Sequence, residues 1–326
     1  MQHFPPPDTI RRHAVAHDLR HSLWAINLLL FALSAVGIAA THLSVDLSGK
    51  GAIAVLVAIS WLGVGVRARL ASELHRRLVD TIELIALFSL MAILTCVATY
   101  PIATLAPPLA DPWLAAADRA IGFDWIALYR AIAGYPVLTM LSALAYSAIF
   151  AIPFVLFIAL GMTGQAARAH RFMLAYGLVI LVSVALFALA PAIDPIGYYG
   201  VETAGYAPIT HTHGAMLAGL RDGTITEVRL GELAGMISFP SVHAASAILF
   251  VWAVRGIRLV TPVVAVLSAA MLAATPIEGN HYLIDLIAGA VAAVVAARVS
   301  GWAGWTRVRF ALPSRRWPLL ERPIRP

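Results

Sequence analysis

Polar and apolar positions in this chain segregate into long blocks. Eight mostly apolar blocks stand out, at 22–41, 52–66, 82–106, 137–162, 172–191, 241–254, 262–275 and 282–297. A helix that crosses a bilayer needs about 20 such residues. The second, sixth and seventh blocks are short, so their ends are the least defined. No internal repeat, low-complexity tract or flexible linker interrupts the pattern. It predicts an all-α integral membrane protein with about eight transmembrane helices. Residues 1–21 are polar and Pro-rich, and the first apolar block begins after them, which fits an uncleaved first span better than a signal peptide.

Two of the intervening segments are long. The first, 107–136, places Trp113, Leu114, Ile121 and Trp125 at a spacing that suits one interfacial helix with aromatic anchors. The second, 192–237, is the longest polar piece; it carries His211, His213, Arg221, Asp222, Glu227, Arg229 and Glu232, and leads straight into Ser238. A loop of that length in a compact protein is often functional.

Composition agrees with the blocks. The chain has 326 residues, 60% hydrophobic and 12% charged, with a mean hydropathy of +0.83; soluble domains carry about 25% charged residues. The net charge of +6 does not point to nucleic acid, because the basic residues flank apolar blocks and form no single stripe. With the N-terminus inside and eight spans, only Lys50, Arg119, Arg130, Arg221 and Arg229 of the 23 basic residues fall outside. That bias follows the positive-inside rule and predicts cytoplasmic termini in an inner (plasma) membrane. Cys96, the single cysteine, lies inside an apolar block and forms no intrachain disulfide.

Candidate chemistry concentrates in two stretches, Ser238-Phe239-Pro240-Ser241-Val242-His243 and Gly279-Asn280-His281-Tyr282-Leu283-Ile284-Asp285. Each heads an apolar block, and the span count puts both on the outer (periplasmic) face. On a helix, His281 and Asp285 share one face, so the carboxylate can orient the imidazole and leave its other nitrogen free as a nucleophile. Ionisable residues in apolar spans are costly and usually functional; the bland alternative is a polar pair tethering two helices. His243 suits an acid for a leaving alkoxide, then a base for an incoming acceptor, or else is a hydrated interface histidine. Pro240 suits a first helical turn and Asn280 an N-cap. Ser238 and Ser241 are set to bind phosphate oxygens or to cap the helix. Gly279 permits close backbone approach or merely turns the chain. Arg221 is the first choice for a bidentate phosphate contact, a solvated loop arginine being its alternative. His211 and His213 read as loop histidines. Tyr146 and Ser147 line a lipid cleft or bond helix to helix. No cofactor or metal is called for, since only Glu278 offers a further ligand near the His/Asp pair.

These residues resemble the type-2 phosphatidic acid phosphatase superfamily, whose second signature centres on Pro-Ser-x-His and third on Gly-x-His with Asp four later. The matches are Pro240-Ser241-Val242-His243 and Gly279-Asn280-His281 with Asp285, followed by Gly289. The resemblance implies His281 as the nucleophile that forms a phosphohistidine, Asp285 as its partner and His243 as the acid for the leaving group. It implies a six-span core over the last six blocks, with the likeness running from about residue 82 to 297. The chain then divides into a cytoplasmic tail with two extra spans (1–81), the catalytic core (82–300) and a basic cytoplasmic tail (301–326). The usual Lys and Arg-Pro of the first signature are absent, and Thr275 stands where the third signature has Arg. Both gaps are similar to the branch that includes the inositol phosphorylceramide synthases of sphingolipid metabolism.

The resulting expectation is a metal-independent phosphatase or phospho-head-group transferase. Its substrate would be a lipid phosphate or phospholipid, with water or an alcohol such as inositol as acceptor. Two rivals remain: a non-catalytic lipid transporter or scaffold with a vestigial site, and an intramembrane serine hydrolase using Ser241 with His281. The sequence does not address oligomeric state.

Overall fold

A computed structural model describes residues 7–310 apart from 47, 49, 68, 71, 204 and 205. The end of the basic tail, 311–326, lies outside the described residues. The helices are α1 (Pro7–Ala40), α2 (Lys50–Arg67), α3 (Glu73–Ala103), α4 (Asp111–Ala120), α5 (Trp125–Ala133), α6 (Pro136–Met162), α7 (Ala166–Leu189), α8 (Pro195–Tyr199), α9 (His213–Asp222), α10 (Val242–Val254), α11 (Val260–Glu278) and α12 (Leu283–Phe310). All eight apolar blocks are helical. Among the described residues, six helices are long and apolar enough to cross a membrane, with apolar stretches at Leu19–Ala40, Glu73–Ala103, Pro136–Met162, Ala166–Leu189, Val260–Glu278 and Leu283–Gly301. The other two, Ile53–Arg67 and Val242–Val254, are shorter.

The short α10 runs through the middle of the bundle, against α6, α7, α11 and α12. Ala244, Ala245, Leu249, Phe250, Ala253 and Val254 are buried in it. At 1.5 Å per residue its 13 residues reach about 20 Å, less than the ~30 Å of hydrocarbon. Just before it, Met236, Ser238, Pro240 and Ser241 are buried.

Three features depart from the pattern-based expectation. The helix of the first span already begins at Pro7, so the polar N-terminal segment is largely helical. The expected single interfacial helix is two, α4 and α5, separated at Gly122, whose φ of +77° suits glycine. The break turns their faces apart: Trp113 and Ile121 are exposed, whereas Leu114 and Trp125 are buried. Two three-residue strands, β1 (Ser44–Asp46) and β2 (Glu227–Arg229), pair in parallel and clip the α1–α2 connection to the long loop.

Candidate active site

The start of α10 is fixed by its cap. Ser241 has extended backbone angles, and its hydroxyl accepts the Ala244 N–H at 3.3 Å, satisfying an otherwise orphaned helix donor. Pro240 lies one residue outside the helix, after a cis Phe239–Pro240 bond, and not in the first turn. The Ser241 N–H donates to the Asp285 carbonyl at 3.0 Å, which joins the two motifs by main chain. Gly289 makes the approach possible: a Cβ there would stand 2.2 Å from the Ser241 carbonyl oxygen. The first turns of α12 therefore press on the α10 N-terminus.

His281 is not on the helix. α12 begins at Leu283, and Asn280 turns the chain in the left-handed region with φ +53°. Asn280 is thus the turn residue, one of the few types that tolerate this region, and not the expected N-cap. Its carbonyl oxygen Oδ1 accepts the Ile196 N–H at 3.1 Å. The His281–Asp285 pair still forms, with Nδ1 to Oδ2 at 3.2 Å. The same Oδ2 accepts the Ser238 hydroxyl at 2.9 Å and the Tyr282 N–H at 3.1 Å. With a carboxylate as its partner, Nδ1 carries the proton, and Nε2 is left with its lone pair, 3.4 Å from the Ser241 hydroxyl.

His243 faces it. The two ring centroids are 6.5 Å apart, at 58°. Tyr146 of α6 stacks on His243 at 4.2 Å and 15°, and its hydroxyl lies 3.4 Å from His243 Nδ1. Ser147 bonds back to its own helix at the Ala143 carbonyl. The rings of His243 and His281 line one cavity of about 420 Å³, together with Ser238, Gly279, Asn280 and Tyr146. The wall continues along α3. Phe88, Ala92, Thr95 and Thr99 of α3 line it, a spacing that keeps them on one helix face over roughly 16 Å.

Sequence reasoning did not identify the acids that hold this turn. Both carboxylate oxygens of Asp118 accept helix-start N–H groups, from Leu283 and Ile284, each at 2.9 Å. Asp111 accepts the Tyr282 hydroxyl at 2.9 Å and the N–H groups of Ile193 and Asp194 at 2.8 and 3.1 Å. Asp194 caps α8 through the Gly197 N–H at 2.8 Å, and its own backbone sits at φ +115°. Burial pushes its carboxyl up to about 7, against its hydrogen bonds and with the Asp111 charge adding to the rise. Glu278 accepts from the Tyr206 hydroxyl and the Ile209 N–H, tying down the long loop. The seven-residue spacing of Asp111 and Asp118, with Leu114 and Ala115 between, was the available signal, because it places both acids on the buried side of α4.

Of the predicted phosphate contacts, Ser238, Gly279 and Asn280 line the cavity. Ser238 is committed to Asp285, and Ser241 to the cap and His281. Gly279 is required by packing, since a Cβ would lie 2.8 Å from His281 and 2.9 Å from Tyr146. Arg221 is not on the cavity wall. It borders a neighbouring hollow with Ala106 and Leu109, its Nη2 3.4 Å from the Ala106 carbonyl. Thr275 bonds back to the Met271 carbonyl of its own helix at 2.7 Å.

The sequence pattern of the PAP2 superfamily matches residues 112–299. The match begins inside α4, so α3 precedes it, although the resemblance was expected from about residue 82. No curated protein and no solved structure matches the chain. Covering more than half of the 326 residues, and including both histidine motifs, the match settles the family: the chain is an integral membrane protein of the PAP2 superfamily, whose members are phosphatase-like.

Proposed function

We propose that the protein transfers a phosphoryl or phospho-head group from a lipid through a covalent intermediate on His281. The observation that carries this is the pair of imidazoles 6.5 Å apart with Asp285 behind one of them. Reacting atoms need to approach within about 3–3.5 Å, and a phosphorus between the two rings meets that on both sides. His281 Nε2 attacks phosphorus as the bond to the leaving oxygen breaks. Protonated His243 gives that oxygen its proton, while Asp285 stabilises the positive charge that develops on His281. Neutral His243 then takes the proton of water or an alcohol. The acceptor oxygen attacks phosphorus, the P–N bond breaks, and His281 is restored. Water makes this a phosphatase; an alcohol such as inositol makes it a transferase, the direction favoured by the likeness to the inositol phosphorylceramide synthase branch. The Phe88 and Ala92 side of the cavity gives a lipid chain its place.

The eight-span topology, with both termini cytoplasmic and the site at the outer face of the inner membrane, rests on the placement of the 23 basic residues. The short α2 and α10 would complete the count.

The test is chemical trapping. Purified protein with a phosphate-labelled phosphatidate should yield an acid-labile phosphohistidine, mapped to His281 by mass spectrometry. His281→Ala should abolish label and turnover. His243→Ala should lower turnover by about 10²–10⁴ while the protein stays folded. Label on any other residue overturns the reading. Assaying free phosphate against new phosphodiester, with and without alcohols, separates the two acceptors.

A second reading has an observation of its own. Ser241 Oγ, His281 and Asp285 stand in a relay at 3.4 and 3.2 Å, as in a serine hydrolase. Against it, Ser241 is fully buried and caps α10. Fluorophosphonate labelling of Ser241 would favour the hydrolase.

A further inference from the structure

Among the described residues, no Arg or Lys lines the cavity that holds the two histidines. A phosphate ester brings one or two negative charges, and burying them without a countercharge is costly. The wall does hold a third imidazole. His213 opens α9 and lines the same cavity. The other rings nearby are engaged: His211 with the Pro208 carbonyl at 2.8 Å, His243 with Tyr146, His281 with Asp285 and Ser241. Among the described residues the His213 ring has no hydrogen-bond partner in the protein.

The backbone around His213 is held in place. Asp194 and the Ile193 carbonyl crowd Gly214, where a Cβ would stand 2.8 and 2.9 Å from their oxygens. Asp194 adopts its φ of +115° there, a conformation that costs a non-glycine residue on the order of 1–3 kcal/mol and persists only when its surroundings impose it. Asp111 supplies part of that restraint by accepting the Asp194 N–H. The acid network that fixes the His281 turn therefore also fixes the first residues of α9.

We propose that His213 grips the substrate phosphate, in the position where a fixed arginine or lysine would otherwise stand. The inference rests on the function proposed above and concerns the same cavity. It favours His213 over Arg221 on geometry. The two lie on one helix, eight residues apart, which separates them by about 12 Å along its axis, and Arg221 borders the neighbouring hollow. With no anion beside it the ring is neutral: burial, with the nearby His281 and His211, lowers its pKa to about 4. The other titratable groups around it are His243 on α10 and Asp194 at the start of α8. An arriving phosphate reverses that field, since an anion alongside favours the protonated ring. Phosphate binding near neutral pH is then accompanied by uptake of a proton.

The experiment is titration calorimetry of the full chain in detergent with inorganic phosphate and with orthovanadate, neither of which needs turnover. Runs in buffers of different ionisation enthalpy give the number of protons taken up. Wild type should bind both anions with net proton uptake. His213→Ala should weaken binding at least tenfold and lower that uptake by the share His213 takes, leaving what His243 contributes. His213→Gln, which keeps a donor but cannot be protonated, should show the same lowered uptake and serves as the readout if the alanine variant does not fold. The proposal is overturned if wild type binds neither anion, if binding weakens less than tenfold in the alanine variant, if the number of protons taken up is not reduced without His213, or if Arg221→Ala carries the loss instead. Trapping of phospho-His281 is read separately, so a failure of the grip leaves that result standing, and the reverse.

Discussion

α3 carries a cluster of buried polar side chains near each end, and the two handle charge in opposite ways. Near its N-terminal end, Asp80 and Glu83 meet Arg20 of α1 and Arg67 of α2. Arg67 Nε lies 2.8 Å from Asp80, Arg20 lies 3.7 Å from Asp80, and Arg20 is also paired with Glu83. Toward its C-terminal end, Thr95 and Thr99 border the histidine cavity. There the imidazoles face open space, and the described lining offers no fixed cation. Removing charge from water is expensive in both places. In the first cluster each charge is answered inside the protein, so the cluster ties three helices together. In the second, Asp285 answers His281, while His213 has no hydrogen-bond partner among the described residues.

That contrast is open to direct attack. The largest effect is expected from Arg20→Ala, which strands Glu83 and part of Asp80. Breaking a buried pair costs about 3–5 kcal/mol, so the melting temperature in detergent should fall steeply while KM of the protein that stays folded is unchanged. A change in KM with stability intact would mean that the tether takes part in the chemistry. Gly289→Ala comes next. Its Cβ would fall 2.2 Å from the Ser241 carbonyl, and overpacking of this kind costs about 1–3 kcal/mol. Because it acts on the histidine spacing, turnover should drop on the order of 10²-fold, a larger share of the effect than stability bears. Wild-type turnover would show that α10 and α12 can part without harm.

The smallest effect is a pH dependence confined to the site. Asp194 binds its proton more tightly when folded, at about 7 against an ordinary 3.8. Its contribution to stability is present below about pH 4 and is lost as pH rises to about 7. His213 runs the other way: its folded value of about 4 lies below the ordinary 6.5, so stability is lost as pH falls from about 6.5 toward 4. In Asp194→Asn, melting temperatures from pH 4 to 7 should therefore rise with pH more steeply than in wild type. An unchanged slope would remove Asp194 from the network.

Much of this was legible in the sequence because it is local. Apolar block length gave the helices, and the Pro-Ser-Val-His and Gly-Asn-His motifs gave the paired imidazoles with Asp285 alongside. What was hidden depends on partners far along the chain. Asp118 caps a helix that starts at Leu283, and Asp111 reaches Tyr282. Asn280 seemed a cap by residue type, but its carbonyl is claimed by Ile196. Arg221 was the choice by its bidentate guanidinium and outer-face position, while α9 places His213 on the cavity wall and Arg221 on the neighbouring hollow. Charge and residue type are read from a string; the direction a helix presents them is decided by what it packs against.

Gly289 sets the gap between α10 and α12 from behind the two imidazoles. The gap is a property of backbone against backbone, since the contact is between the glycine and a main-chain oxygen. No choice of rotamer at His243 or His281 can restore it once α10 is pushed away. A methyl group at that one residue would act as a shim between two helices and move the two histidine rings apart.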